Sequence, residues 1–190
     1  MMDADGRERW IEAGLNELGR GGIEAVRVEV LAKSLGVTKG GFYRRFKDRR
    51  ALLDAILDAW TRGRIAVAEK HTRLRNENAR DRLKLIIKFY SERANPAGMA
   101  IELAIRQWAR SDKKALAAVA RVDAARVENA AQLYKNLGVA DEDAEARAVL
   151  LYAFIFGRGL IFLDQAPRKR ASLTAVCTDA LTQIEGPSSL

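Results

Sequence analysis

Across 190 residues the chain has one cysteine, Cys177, one histidine, His71, and three prolines, Pro96, Pro167 and Pro187. A single cysteine excludes an internal disulfide. Neither Cys177 nor His71 has sequence neighbours that would complete a metal-binding or nucleophilic set, so enzymatic readings fail for want of the residues. No catalytic residue, metal ligand or cofactor is expected. No positively charged start followed by an apolar stretch opens the chain, which argues against secretion. The longest nearly uncharged run, 149–163, contains Arg158 and falls short of the roughly 20 residues a membrane-spanning helix needs. The expectation is a cytoplasmic protein with no membrane partner. Period-two alternation of apolar and polar residues is also scarce, and with so few prolines the fold is expected to be all-α.

Positive charge is in surplus. Lys and Arg number 33 against 25 Asp and Glu, a formal net charge of +8, which suits a polyanionic partner, although solubility alone also accounts for such a surplus. Apolar spacing then divides the chain into helices. Trp10, Ile11, Leu15 and Leu18 share a face of a first helix over 7–18, which Gly19, Gly21 and Gly22 are expected to stop. Val28, Leu31, Ala32 and Leu35 define a second over 28–35, closed by Gly36. Thr38 stands where an N-cap belongs for a third over 39–46, and Asp48 where one belongs for a fourth with the stripe Leu52, Ala55, Ile56, Ala59 and Trp60. Further helices are predicted over 79–93, 99–109, 112–137, 141–164 and 172–184, with breaks at 95–98, at Gly138 and in the basic stretch 166–171.

The stretch GVTKGGFYRRFKDRR, Gly36 to Arg50, carries the functional signal. Two short helices joined by a Gly-containing turn, behind a hydrophobic first helix, form the arrangement of a helix-turn-helix DNA reader. Gly40 and Gly41 each cost about 1 kcal/mol of helix propensity relative to Ala, which points to close approach of the backbone to a ligand; the bland alternative is that 39–41 is a loop. The DNA-facing set is Thr38, Lys39, Gly40, Gly41, Tyr43, Arg44, Arg45 and Lys47, with Arg49 and Arg50 extending the positive cluster.

The same residues resemble the DNA-binding domain of the tetracycline-repressor (TetR) family of bacterial transcription regulators. The pattern is Ala32, Leu35-Gly36-Val37, Thr38, Phe42-Tyr43, Phe46, Asp48 and Leu52-Leu53. Arg45 stands where the family often has His or an aromatic, and Arg49 where it often has Lys. The segment 105–119 is similar to effector domains of some members. The resemblance implies a three-helix helix-turn-helix head, residues 1–50, followed by a larger helical effector and dimerisation domain, residues 51–190. It further implies a sequence-specific regulator, a repressor that reads a pseudo-palindromic operator in double-stranded DNA as a homodimer and is released by a small-molecule effector. The alternative in another class is an architectural DNA-binding protein with the same head and no inducer.

Two sets of residues are assigned to the larger domain. Phe89, Tyr90, Met99, Glu102, Arg106, Trp108 and Tyr134 mix aromatic bodies with a few polar groups, as small-molecule sites do and as ordinary core also does. Tyr152, Phe156, Gly159, Leu163, Leu173, Val176 and Leu181 lie on the last two helices, whose apolar faces suit an intermolecular four-helix bundle or, alternatively, an internal core.

Overall fold

The structure, a computed structural model, describes residues 2–73, 78–91, 96–160 and 167–184. Among these the only regular elements are helices: α1 (Met2–Gly21), a 3₁₀ turn (Ile23–Ala25), α2 (Val28–Leu35), α3 (Lys39–Tyr43), α4 (Arg49–Arg73), α5 (Ala79–Ser91), α6 (Pro96–Ala109), α7 (Lys113–Lys135), α8 (Asp141–Leu160) and α9 (Pro167–Thr182). The all-α expectation holds. No helix of the described residues is long and apolar enough to cross a membrane.

The chain forms two compact units. One comprises residues 1–64 and 95–122, so the N-terminal head shares a unit with α6 and the first part of α7. Its interior is built around Trp10, Ile11, Leu18, Leu31, Phe42, Leu52, Ile56 and Ile105, all buried. Each such side chain contributes on the order of 1.5–3 kcal/mol when withdrawn from water. Gly14 lets α1 lie close to α4, because a Cβ there would stand 2.5 Å from Ile56 Cδ1. Charged groups tie the start of α4 to the start of α7: Arg50 bonds both Asp54 and Asp112, and Lys114 Nζ lies 2.6 Å from Asp54 Oδ2. The hydrogen bond from Arg50, followed by that from the Ala115 N–H, holds the Asp112 carboxyl down at about 2.

The other unit comprises residues 65–94 and 123–190. Leu83, Ile87, Leu133, Tyr134, Leu151 and Ile155, from α5, α7 and α8, form its core, and Leu181 and Ile184 pack against it. Arg126 is 0% exposed. Its guanidinium carbon lies 5.3–5.9 Å from the ring centres of Phe156, Tyr90 and Tyr152, and Nη1 reaches Asp123 at 3.4 Å. A buried cation is costly unless it is paired, and three aromatic faces and a carboxylate offset the lost water.

Several predicted boundaries move. Helix α1 continues through Gly19 and Gly21, and only Gly22, at φ 71°, turns the chain. Helix α3 ends at Tyr43 rather than Phe46; the next residues form a hydrogen-bonded turn in which Phe46 N–H still donates to Phe42 O at 3.0 Å, so Phe46 stays in the core. Thr38 occupies the N-cap position, but its hydroxyl makes no capping bond. Asp48 does cap α4, accepting from Ala51 N–H at 2.8 Å. Helix α9 starts at Pro167, inside the stretch expected to be a loop, since proline is tolerated in a first turn where its missing N–H has no helical partner. The predicted ends of α5 and α8 fall outside the described residues.

Candidate nucleic-acid interface

The recognition segment begins with a helix stop. Gly36 closes α2 at φ 66°, ψ 32°, its N–H donating back to the Ala32 and Lys33 carbonyls. Val37 N–H donates to Ala32 O at 3.0 Å. An L-residue with a side chain pays roughly 1–2 kcal/mol to enter this left-handed region, which is why glycine stands here. Thr38 is extended, and α3 leaves at a new angle with Phe42 turned inward. The Phe42 ring meets Trp10 edge-on at 5.3 Å and stacks on Phe46 at 5.5 Å, so an aromatic wedge anchors α3 to α1.

This anchoring turns the remaining side chains of α3 outward. Thr38, Lys39, Gly40, Tyr43, Arg44 and Lys47 are exposed, Tyr43 by 62%, while Gly41 and Arg45 are half-buried. Lys39 Nζ forms an ion pair with Glu29 Oε1 at 2.7 Å across the turn. The hydrogen bond to Glu29 raises the Lys39 pKa, and the same bond lowers that of Glu29. Gly40 and Gly41 are the informative pair. Neither has a positive φ. A Cβ at Gly40 would meet only Thr38 Oγ1 at 3.6 Å, and one at Gly41 only Val37 Cβ at 4.0 Å. Nothing among the described residues therefore requires glycine at either position.

The positive cluster is less uniform than its sequence suggests. Arg45, expected on the DNA side, folds back: Nη1 donates to Gly41 O at 3.1 Å, and the guanidinium occupies the space beside Gly6 that a Cβ would fill. Arg49 closes the 3₁₀ turn by donating to Val26 O at 2.6 Å and Ile23 O at 2.5 Å. Arg50 serves Asp54 and Asp112. Sequence spacing offered no sign of these roles, since the acceptors of Arg49 lie 23 and 26 residues away. Arg44, Lys47 and the paired Lys39 remain as outward cations of the predicted set.

The residues assigned to a ligand divide between the units. Met99, Glu102, Arg106 and Trp108 belong to the first, and Phe89, Tyr90 and Tyr134 to the second. Two of them lie inside the packed interior. Trp108 is buried, and Tyr134 is fully enclosed with its hydroxyl donating to Leu181 O at 2.9 Å. Burial pushes the Tyr134 phenol up to about 12. Phe89 is 41% exposed, and Tyr90 joins the rings around Arg126. In the first unit Glu102 is buried and takes two bonds from Arg106, at 3.0 and 3.2 Å.

Of the residues assigned to a dimer interface, Tyr152 faces inward, 6.2 Å from Phe156 in the aromatic group. Leu181 is half-buried against the core, Gly159 lies in α8, and Leu163 falls outside the described residues. Leu173 and Val176 are exposed, Val176 by 65%. Val149 and Leu150, outside the assigned set, are exposed as well, the latter by 59%. Leu150 lies on the side of α8 opposite the inward Tyr152 and Ile155, and Val149 on the flank.

Residues 11–56 match the model of bacterial regulatory proteins of the tetR family. Similar folds occur among solved structures. A Rhodococcus sp. protein described as a TetR-family transcriptional regulator is 22% identical at a TM-score of 0.75, with 94% of this chain and all of that one covered. Escherichia coli NemR in its reduced form is 18% identical at a TM-score of 0.71, covering 95% of this chain and 100% of its own. A transcriptional regulator from Saccharomonospora viridis in complex with choline is 19% identical at a TM-score of 0.69, covering 93% and 95%. None of the curated proteins matches the chain.

Proposed function

We propose that this chain, which belongs by its N-terminal domain and its fold to the tetR family of bacterial regulatory proteins, represses transcription by binding a pseudo-palindromic operator as a homodimer and is released by a small-molecule effector. The single observation that carries the DNA interface is the pair Gly40-Gly41, exposed or half-exposed at the start of α3 with no internal reason to lack a side chain. An external surface that must come close supplies the reason. With α3 in the major groove, Lys39 and Tyr43 flank the bare backbone, and Arg44 and Lys47 follow toward the phosphates. Arg45 acts from behind, fixing α3 to the start of α1.

The test separates stability from binding. Gly40→Ala and Gly41→Ala add a better helix former where there is room for it, so each should leave stability unchanged or raise it by up to about 1 kcal/mol. Both should weaken binding to a selected operator, read by fluorescence anisotropy. Parental affinity in both variants would refute the interface.

Dimerisation is proposed through the outward apolar residues of α8 and α9, Val149, Leu150, Leu173 and Val176. An isologous pairing of two such faces places two heads on one duplex. A small-molecule effector is supported by the choline complex of the Saccharomonospora protein, and its site would belong to the helices behind the head. We place the protein in the cytoplasm, where such an operator is found.

A further inference from the structure

We propose that α4 and α6, within the first unit, form a site for a small organic carboxylate, held by the indole N–H of Trp60 and the guanidinium of Arg64. This assigns a ligand class to the effector and rests on the reading of the chain as an effector-controlled regulator.

Trp60 is 4% exposed, and its Nε1 has no hydrogen-bond acceptor among the described residues. A buried N–H left this way is unfavourable, and an indole can only donate. Arg64 lies one turn further along α4, on the same face. Its Nη2 donates to Gly98 O at 3.1 Å on α6, and its Nε stands 3.5 Å from Glu102 Oε2, too long for a strong bond. A guanidinium has five N–H groups, so Arg64 keeps donors to give. Two donors one turn apart on the same face of α4, one neutral and one charged, suit an acceptor with two oxygens and negative charge.

Glu102 shows that the place tolerates a carboxylate. It is 2% exposed, and Arg106 holds its Oε1 independently of Arg64. Arg64 can therefore turn to an incoming carboxylate without stripping Glu102 of its counter-charge. A cationic ligand would face two guanidiniums, and a neutral amide would forgo the charge-assisted bond. Binding would also exchange the Arg64 link to Gly98 for one to the ligand. At its other end α4 carries Arg49, bonded to the 3₁₀ turn of the head, so a small displacement of α4 reaches the recognition helix.

Calorimetry on the full-length, DNA-free protein tests this with butyrate, hexanoate, benzoate and phenylacetate beside their four matched amides. At least one acid should bind at one site per chain, its amide about tenfold more weakly or worse. Trp60→Phe should weaken that acid by about tenfold with thermal stability retained, and Arg64→Gln by more. If Arg64→Gln fails to fold, the ¹⁵N–¹H indole signal of Trp60 decides. It is one of three tryptophan signals, identified by its absence in Trp60→Phe, and it should move on titration with the acid. The proposal is overturned if no acid binds, if acids and amides bind alike, or if binding survives Trp60→Phe and the indole signal stays put. Operator release is measured separately. An acid that binds here without changing operator affinity overturns the effector reading alone, and release by another class of compound with no acid binding overturns the carboxylate site alone.

Discussion

The salt dependence of operator binding measures how many cations of the recognition segment reach phosphate. Six follow one another there, Lys39, Arg44, Arg45, Lys47, Arg49 and Arg50. If all six met phosphates on both heads of a dimer, log affinity would fall by about 11 for each tenfold rise in salt, at about 0.9 per contact. Four of them have partners within the protein: Arg45 on Gly41 O, Arg49 on Val26 O and Ile23 O, Arg50 on Asp112 and Asp54, and Lys39 on Glu29, but the last is an exposed pair that a phosphate can replace, which leaves three cations held inward. The other three on each head predict a slope of about −5, or a roughly thousandfold loss of affinity between 50 and 200 mM salt. Fluorescence anisotropy on one operator across that range reads the slope directly. Replacing Arg44 and Lys47 together by Gln removes four contacts per dimer and should bring the slope to about −2. Arg49→Gln should leave the slope unchanged and instead cost about 2–3 kcal/mol of stability, because two carbonyls lose a charged donor. A wild-type slope steeper than about −8, or a slope that follows Arg49 rather than Arg44 and Lys47, would refute the division of labour.

Gly36→Ala forces a side chain into the left-handed region and should cost about 1–2 kcal/mol in chemical denaturation, with no change in the groups available to DNA. The Asp112 carboxyl is held at about 2 in the folded protein against an ordinary 3.8, so the stability it contributes is present above pH 4 and is lost as pH falls toward 2. Acid titrations of unfolding should therefore show a steeper loss between about pH 4 and 2 in the parent than in Asp112→Asn. Sedimentation at micromolar concentration should give a dimer, and Val176→Glu should yield folded monomer by placing a charge on the exposed face of α9; a dimer unaffected by this change would move the interface elsewhere.

How far the sequence carries depends on how local the cause is. Helix α2 is legible to the residue because its apolar stripe and its stop at Gly36 both lie inside a nine-residue window. Asp48 is legible as a cap because its partner, Ala51, is three positions on. The end of α1 is not, since helix propensity alone would stop it at Gly19, while the chain continues to Gly21 and turns at Gly22. The proposed DNA-facing set follows from one helical register around Phe42, and in that register Lys39, Tyr43, Arg44 and Lys47 are exposed. Arg45 departs from it because the space it fills lies beside Gly6, 39 positions earlier, a coincidence that no local pattern encodes.

The larger domain shows a different limit. Apolar spacing tells which residues avoid water but not what they meet, so Tyr152, Leu173 and Val176 read alike in sequence while the first is buried in an aromatic group and the others face outward. For polar groups the missing information is the partner. Tyr134 and Trp60 are both buried aromatics with one donor each; the hydroxyl of Tyr134 reaches Leu181 O, and the indole N–H of Trp60 reaches no acceptor among the described residues. That difference separates a residue that completes the core from one that still has a bond to make.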